Sequence, residues 1–182
     1  MKLVILDRDG VINEDSDSFI KSPQEWVAIP GSLEAIAKLC HHGYKVVIAS
    51  NQSGLARGLF SSRDLSAIHQ KMRLELDRFG GQIDGIFFCP HGPDDKCSCR
   101  KPEPGLLLEI RERLGVEIDK AVFVGDSFRD IQAANAAGTS AILVKSGKGR
   151  KTISAHQSQL AGVPIVENLS AAVSYILAGK DH

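Results

Sequence analysis

"LVILDRDG", residues 3–10, is a short apolar run that stops abruptly at Asp-Arg-Asp-Gly. Leu3, Val4, Ile5 and Leu6 leave no polar position on either side of an extended chain, which is the pattern of a strand covered on both faces. Asp7 and Asp9 fall just past its carboxyl end. Gly10 permits the sharp turn that would aim both at one point.

The same kind of run recurs along the chain. "KVVIAS" (45–50), "GIFFC" (85–89), "AVFVGD" (121–126) and "SAILVK" (140–145) are short and bounded. Between them, "GSLEAIAKLCHHG" (31–43), "SSRDLSAIHQKMRLELDRFG" (61–80), "EPGLLLEIRERLG" (103–115) and "FRDIQAANAAG" (128–138) carry apolar residues at helical spacing, and the first two close on Gly43 and Gly80. Apolar strands alternating with helices predict one α/β domain over residues 1–182, a Rossmann-like parallel sheet with helices on both faces. The irregular stretch 12–31 is long enough to be a flap over a site. The tail from Gly147 is expected to form one or two peripheral helices, with "VPIVENL" (163–169) as a short edge strand.

The bulk numbers narrow the function. A chain of 182 residues is long enough for one sizeable core and short for two. Lys plus Arg and Asp plus Glu are both 22, so no net field draws the protein to nucleic acid or to anionic lipid, and only 5% of residues are aromatic, too few for a base-stacking platform. The opening apolar run ends at Asp7, too soon for a signal peptide, and no apolar stretch approaches the roughly 20 residues that span a bilayer. The expectation is a cytoplasmic protein, monomeric, with a small-molecule partner and neither nucleic acid nor membrane.

In parallel sheets of this kind sites lie at the carboxyl ends of the strands. Asp7, Asp9, Ser50, Asn51, Cys89 and Asp126 all fall there. A lone aspartate after a strand is often a helix or turn cap. Joint occurrence on two apolar strands, with Ser50 ending a third and Lys101 following, points instead to a hard divalent cation, Mg²⁺, neutralising clustered carboxylates.

Together these residues resemble the haloacid dehalogenase (HAD) superfamily of phosphotransferases. "DRDG" matches its DxDG start, "ASNQSG" its second-strand Ser/Thr, "RKPEPG" its lysine loop and "GDSFRD" its acidic end. The resemblance implies that Asp7 is the nucleophile, forming an aspartyl-phosphate, and that Asp9 is the acid and base. It implies that Asp7, the backbone carbonyl of Asp9, and Asp126 hold Mg²⁺, and that Ser50 and Lys101 hold phosphoryl oxygens. Asp130 is expected to position a metal water or the loop. Dehalogenases of the superfamily lack the second aspartate, and no motif for another acceptor is visible, so phosphate hydrolysis is the reading. A non-enzymatic binding module would give no reason for Asp7, Asp9, Ser50, Lys101 and Asp126 to occur together.

"CPHGPDDKCSCRKPEPG" (89–105) adds Cys89, His91, Cys97 and Cys99 in a polar loop. Disulfides between such close neighbours would be strained. A Cys3His set suits four-coordinate structural Zn²⁺ with no open position. The zinc would pin the loop so that Arg100 and Lys101 meet phosphate preorganised. A knuckle before "CRKPEPG" resembles a small branch of the superfamily without a large cap domain, the heptose-bisphosphate 7-phosphatases and the histidinol-phosphatase domains. "LDRDGVIN" and "SNQSGLARG" look most like the former, with histidinol phosphate as the alternative substrate.

That resemblance implies removal of the C7 phosphate of a heptose 1,7-bisphosphate, leaning to the β anomer and to lipopolysaccharide-core biosynthesis. Asn51 and Arg100 are then candidates for the sugar and its second phosphate, with Arg57 a possible helper. Ser127 stands where some relatives carry Lys. Trp26 is read as packing against the sheet edge rather than as a flap residue. Cys40 is expected in the core, and His41, His42, His69 and His156 at the surface or in packing.

Overall fold

The opening run forms strand β1 (Lys2–Leu6), in the interior of a six-stranded sheet. The computed structural model describes residues 1–179. The chain continues through α1 (Ser32–His41), β2 (Tyr44–Asn51), α2 (Ser62–Asp77), β3 (Gly85–Cys89), α3 (Gly105–Leu114), β4 (Val122–Gly125), α4 (Phe128–Ala137), β5 (Ser140–Val144), α5 (Gly149–His156), β6 (Ile165–Val166) and α6 (Leu169–Leu177). Strand order is β3-β2-β1-β4-β5-β6 and every neighbouring pair is parallel. The chain thus winds outward from β1 to β3, returns to the far side of β1 at β4, and winds outward again. A crevice opens where the winding reverses, beyond the ends of β1 and β4.

Strand alternation divides the core into two layers. Val4, Leu6, Val46, Ile48, Val122 and Val124 pack on one face with Ile36 and Leu39 of α1, Ile68 and Met72 of α2, and Val173 and Ile176 of α6. Leu3, Ile5, Val47, Ala49 and Phe123 pack on the other with Leu106, Leu107 and Ile110 of α3 and Ala133 and Ala134 of α4. This double cover is why the strands read as unbroken apolar runs. The register aligns Leu6 with Ile48 and with Val124, so the residues that follow these strands emerge at nearly one level.

Helix α2 opens on a capping box, in which Ser61 Oγ accepts from Asp64 N and the Asp64 carboxylate accepts from Ser61 N; caps of this kind contribute about 1 kcal/mol. The segment 12–31 is folded back on itself by an antiparallel bridge between Asn13 and Ala28. Its later part is core, since Trp26 is 0% exposed and lies under Lys71 of α2, away from the crevice. Only residues 15–17, 19 and 20 of the segment reach the crevice, which answers to the expected flap. Cys40 is half-buried rather than fully in the core, with its thiol directed at the Gln82 carbonyl, 3.5 Å away. The tail forms α5, a 3-10 turn (Gln157–Leu160), the short strand β6 and α6; β6 is the expected edge strand, but α6 is not peripheral, since its Val173 and Ile176 are buried in the core. Among the described residues no helix is long and apolar enough to cross a membrane.

Candidate active site

Asp7 stands one residue past β1, and its N–H still donates to the Val124 carbonyl at 2.9 Å. The sheet ladder itself therefore fixes where its carboxylate begins. Lys101 comes to it from the loop after β3: Nζ lies 3.1 Å from Asp7 Oδ1 and 2.7 Å from Asp130 Oδ1, and donates to the Ala49 carbonyl at 2.8 Å. These three contacts use all three ammonium donors. Lys101 is only 2% exposed. Burial alone would lower its pKa, but Asp130 and Asp7 outweigh burial and raise it above the ordinary lysine range.

Asn51 holds the Lys101 backbone with both ends of its amide, accepting from Lys101 N and donating to Lys101 O, each at 3.0 Å. Ser50 is 1% exposed, and its Oγ accepts from Gln52 Nε2 at 2.7 Å, which leaves its own proton free to donate. Asp130 Oδ2 accepts from Asp126 N, Ser127 N and Ser127 Oγ at 3.1, 3.0 and 2.9 Å. Asp130 thus ties the end of β4 to the start of α4 while its other oxygen grips Lys101.

Three carboxylates, Asp7, Asp126 and Asp130, offer oxygens within 4.8 Å of one another. Burial pushes the Asp7 pKa up to about 7, with Asp130 and Asp9 adding repulsion and Lys101 opposing it. Burial, then Asp7 and Asp130, push Asp126 up to about 8, against the hydrogen bond from Lys148 N. Groups so reluctant to ionise together fit a hard divalent cation, which would reverse both shifts. Glycines let the backbone close in on this point. Gly10 has φ +84° and Gly147 φ +55°, and a Cβ on either would fall 2.0 or 2.2 Å from Asp126 Oδ2.

Asp9 points to other partners. Its Oδ1 accepts from Arg8 Nε, Arg8 Nη2 and Asn13 Nδ2 at 3.1, 3.0 and 2.9 Å, and its Oδ2 accepts from Gln52 Nε2 at 3.0 Å. Burial raises its pKa, yet Arg8, Asn13 and Gln52 outweigh burial and leave it below the usual carboxylate range.

The knuckle residues also meet. Cys89 Sγ lies 3.6 Å from Cys97 Sγ, 3.0 Å from Cys99 Sγ and 3.4 Å from His91 Nδ1. The four donor atoms lie within 4.8 Å of one another. Tetrahedral zinc with bonds of about 2.3 Å holds its sulfurs about 3.8 Å apart, so this soft donor set fits the ion. Burial of Cys97 is outweighed by the Arg100 N–H and the neighbouring thiols, which bring its pKa down to about 7 and favour the thiolate a metal needs.

The crevice is a cavity of about 240 Å³ lined by Asp7, Asp9, Asn51, Arg100, Lys101 and Asp126 among the expected residues, but not by Ser50. Arg57 lines it too, with its guanidinium 5.6 Å from the Phe19 ring. Arg129 and Lys148 add cations that sequence reasoning passed over, as it passed over Arg8, Gln52 and Asn13. Gln52 and Asn13 lie inside the "SNQSG" and "LDRDGVIN" strings and were legible only as members of a motif. Of the surface or packing places expected for His69 it takes the second, partly buried with its Nε2 3.4 Å from Arg8 Nη1.

A family model described as HAD-hydrolase-like matches residues 98–172. The chain is 54% identical to a D-glycero-beta-D-manno-heptose-1,7-bisphosphate 7-phosphatase of Bordetella bronchiseptica over 97% of its own length and 98% of the other's. It is 47% identical to the protein of that name in Pseudomonas aeruginosa, over 96% and 97% of the two. The crystal structure of the D,D-heptose 1,7-bisphosphate phosphatase from B. bronchiseptica, complexed with magnesium and phosphate, superposes with a TM-score of 0.95 at 53% identity, covering 98% of this chain and 99% of that one. With an apolar parallel sheet, a carboxylate cluster at its switch point and relatives this similar along nearly their whole length, the chain belongs to the heptose-bisphosphate 7-phosphatase family of HAD-like hydrolases.

Proposed function

We propose that the protein is a phosphoric monoester hydrolase that removes the C7 phosphate of D-glycero-β-D-manno-heptose 1,7-bisphosphate, on the way to nucleotide-activated heptose. The observation that carries the chemistry is the junction of Asp7, Lys101, Asp126 and Asp130 at the end of the switch-point strands. The sugar is supported by relatives of that name at 54% and 47% identity. They favour the heptose substrate over histidinol phosphate.

An oxygen of Asp7 attacks phosphorus as the bond to the sugar oxygen breaks, and Asp9 gives that oxygen its proton. Water then attacks the aspartyl-phosphate, Asp9 takes the water's proton, and phosphate leaves with Asp7 restored. Asp9 rests ionised here, and the negative charge of an incoming phosphate raises its pKa towards the acid form. Ser50 and Lys101 stabilise the charge on the phosphoryl oxygens. Mg²⁺ held by Asp7, the Asp9 backbone carbonyl and Asp126 would supply Lewis-acid charge neutralisation. Zn²⁺ on Cys89, His91, Cys97 and Cys99 is structural. Arg100, aided by Arg57 and Arg129, faces the second phosphate, and Asn51 borders the sugar while it steadies Lys101. We assign the whole chain, 1–182, to one domain acting as a cytoplasmic monomer.

The test is phosphate release with Mg²⁺ from both anomers of the heptose bisphosphate and from histidinol phosphate. A preference for the β anomer of a hundredfold in kcat/KM, about 2.7 kcal/mol of transition-state discrimination, is expected. Comparable rates on all three would overturn the substrate and leave the hydrolysis.

A further inference from the structure

Arg8 separates the two aspartates of the opening motif, and it is 0% exposed. A guanidinium withdrawn from water must find partners for its five donors. Nε and Nη2 reach Asp9 Oδ1 at 3.1 and 3.0 Å, Nη2 is 3.2 Å from Asp9 Oδ2 and 3.4 Å from Gln52 Oε1, and Nη1 is 3.4 Å from His69 Nε2. Among the described residues Asp9 is its ion-pair partner, and Arg8 does not line the cavity. Whatever it does for the reaction it does through Asp9.

The carboxyl of Asp9 does line the cavity, 23% exposed. Its Oδ1 is held by Arg8 and Asn13 and its Oδ2 by Gln52, whose Nε2 is shared with Ser50 Oγ. A buried Arg–Asp pair is seldom better for stability than an apolar residue of similar volume. A planar fork is, however, good at fixing the orientation of a carboxyl group. His69 steadies the fork from behind. Burial, then Arg8 and Arg73, push its pKa down to about 4, so it is neutral near pH 7 and can accept from Nη1.

We propose that Arg8 is a positioning residue for the proton transfer: backed by His69 and flanked by Gln52, it holds the Asp9 carboxyl on the leaving-group side of the phosphorus that Asp7 attacks. This deepens the hydrolytic reading and rests on Asp9 as the proton donor. In the step served, the Asp9 O–H bond breaks and its proton goes to the ester oxygen, while that oxygen keeps the electron pair of the broken P–O bond. Asp9 is left as the carboxylate, and it regains a proton from water when the aspartyl-phosphate is hydrolysed.

The test compares two esters in the Mg²⁺-loaded, zinc-loaded enzyme. p-Nitrophenyl phosphate expels a stable phenolate that needs no proton, whereas a primary alkyl phosphate expels an alkoxide that does. Arg8→Gln and Arg8→Met are expected to lower kcat/KM on the alkyl ester, which ends at phosphoryl transfer and leaves out the hydrolysis common to both esters, by about 10- to 100-fold, a part of the ~10²–10⁴ that a general acid contributes. The loss on the aryl ester should be at least about tenfold smaller, and Arg8→Lys should recover part of the alkyl rate. The ratio of the two rates is independent of the active fraction, so partial unfolding cancels. If the Arg8 variants do not fold, His69→Leu decides, with a change in the same direction and smaller. Equal losses on both esters, or none, overturn the proposal. Asp9→Asn separates the two readings: a leaving-group-dependent loss there without one in the Arg8 and His69 variants removes the role of Arg8 alone, and its absence from Asp9→Asn removes the donor assignment and this proposal with it.

Discussion

Replacing Asp7 by Asn is expected to abolish turnover, and in Mg²⁺-free buffer it should also stabilise the fold by an amount that grows with pH. The Asp7 pKa is raised from 3.8 to about 7, by burial first and then by Asp130 and Asp9. A carboxyl whose folded pKa is raised carries an extra proton in the native state between the two values. Its contribution is therefore complete below about pH 4 and is lost as pH climbs through about 7. Each pH unit inside that window removes about 1.4 kcal/mol. From pH 5 to pH 7, with the group half-titrated at the upper end, the loss is about 2 kcal/mol, or about 5 °C in Tm for a chain of this length. Asn has no proton to lose, so the gap between variant and wild type isolates this group. His69 acts in the opposite sense, since its folded pKa is depressed to about 4 from 6.5 and its contribution is lost as pH falls through that range. It is common to both proteins and cancels. Asp126 is raised to about 8 partly by Asp7, so relief at Asp7 spreads to it with the same sign. The assay is thermal melting at pH 5, 6 and 7 without a chelator strong enough to strip the zinc loop. The gap should widen by about 5 °C across the series, and saturating Mg²⁺ should close it by rescuing the wild type. A gap that is flat or narrows with pH refutes the picture of a strained carboxylate cluster.

Gly10→Ala is expected to raise the Mg²⁺ concentration needed for half-maximal activity about tenfold or more. Its Cβ would sit 2.0 Å from Asp126 Oδ2 at a φ of +84°, a conformation that itself costs an L-residue about 1–2 kcal/mol. A Mg²⁺ titration of activity checks it, and an unchanged midpoint would show that Asp126 holds no metal. Cys97→Ser should release zinc, measured by elemental analysis, and lower kcat/KM on the bisphosphate by about a hundredfold, mostly through KM, because misplacing a charged group such as Arg100 by about 1 Å can cost that much. Full activity without zinc would mean that the knuckle positions nothing.

The strands could be read because both faces of the sheet are covered, which removes polar positions from "LVIL" and "VVIA" and leaves nothing for a helix period to explain. The carboxylates could be read because strand ends in such a sheet converge on one crevice, so position along the chain stands in for position in space. Arg8 could not. A charged residue in a motif ordinarily reads as solvated, and nothing in "DRDG" says that the turn buries it against Gln52 and His69, far along the chain. Trp26 shows the same limit from the apolar side. Its place depends on the Asn13–Ala28 bridge folding the segment back over α2, a tertiary event without a local signal.

Arg100 and Lys101 show most clearly what adjacency conceals. Read as a pair, they have one task, to meet phosphate. Their surroundings differ because successive side chains leave the backbone in different directions. Lys101 goes inward, where Asp7, Asp130 and the Ala49 carbonyl take all its donors. Arg100 stays half-buried on the cavity wall, with Nη1 donating to the His91 carbonyl at 3.3 Å and its N–H donating to Cys97 Sγ at 3.4 Å. One cation is therefore part of the carboxylate cluster and sets its charge before any substrate arrives, while the other belongs to the knuckle and faces the space where the rest of the substrate would lie. The Asn51 amide, closed on the Lys101 backbone from the end of β2, is the hinge between the two. Movement of the zinc loop would then be felt first at Arg100, and reach Lys101 only once that amide pair breaks. Loss of zinc should accordingly impair recognition of the second phosphate before it impairs the chemistry at the first.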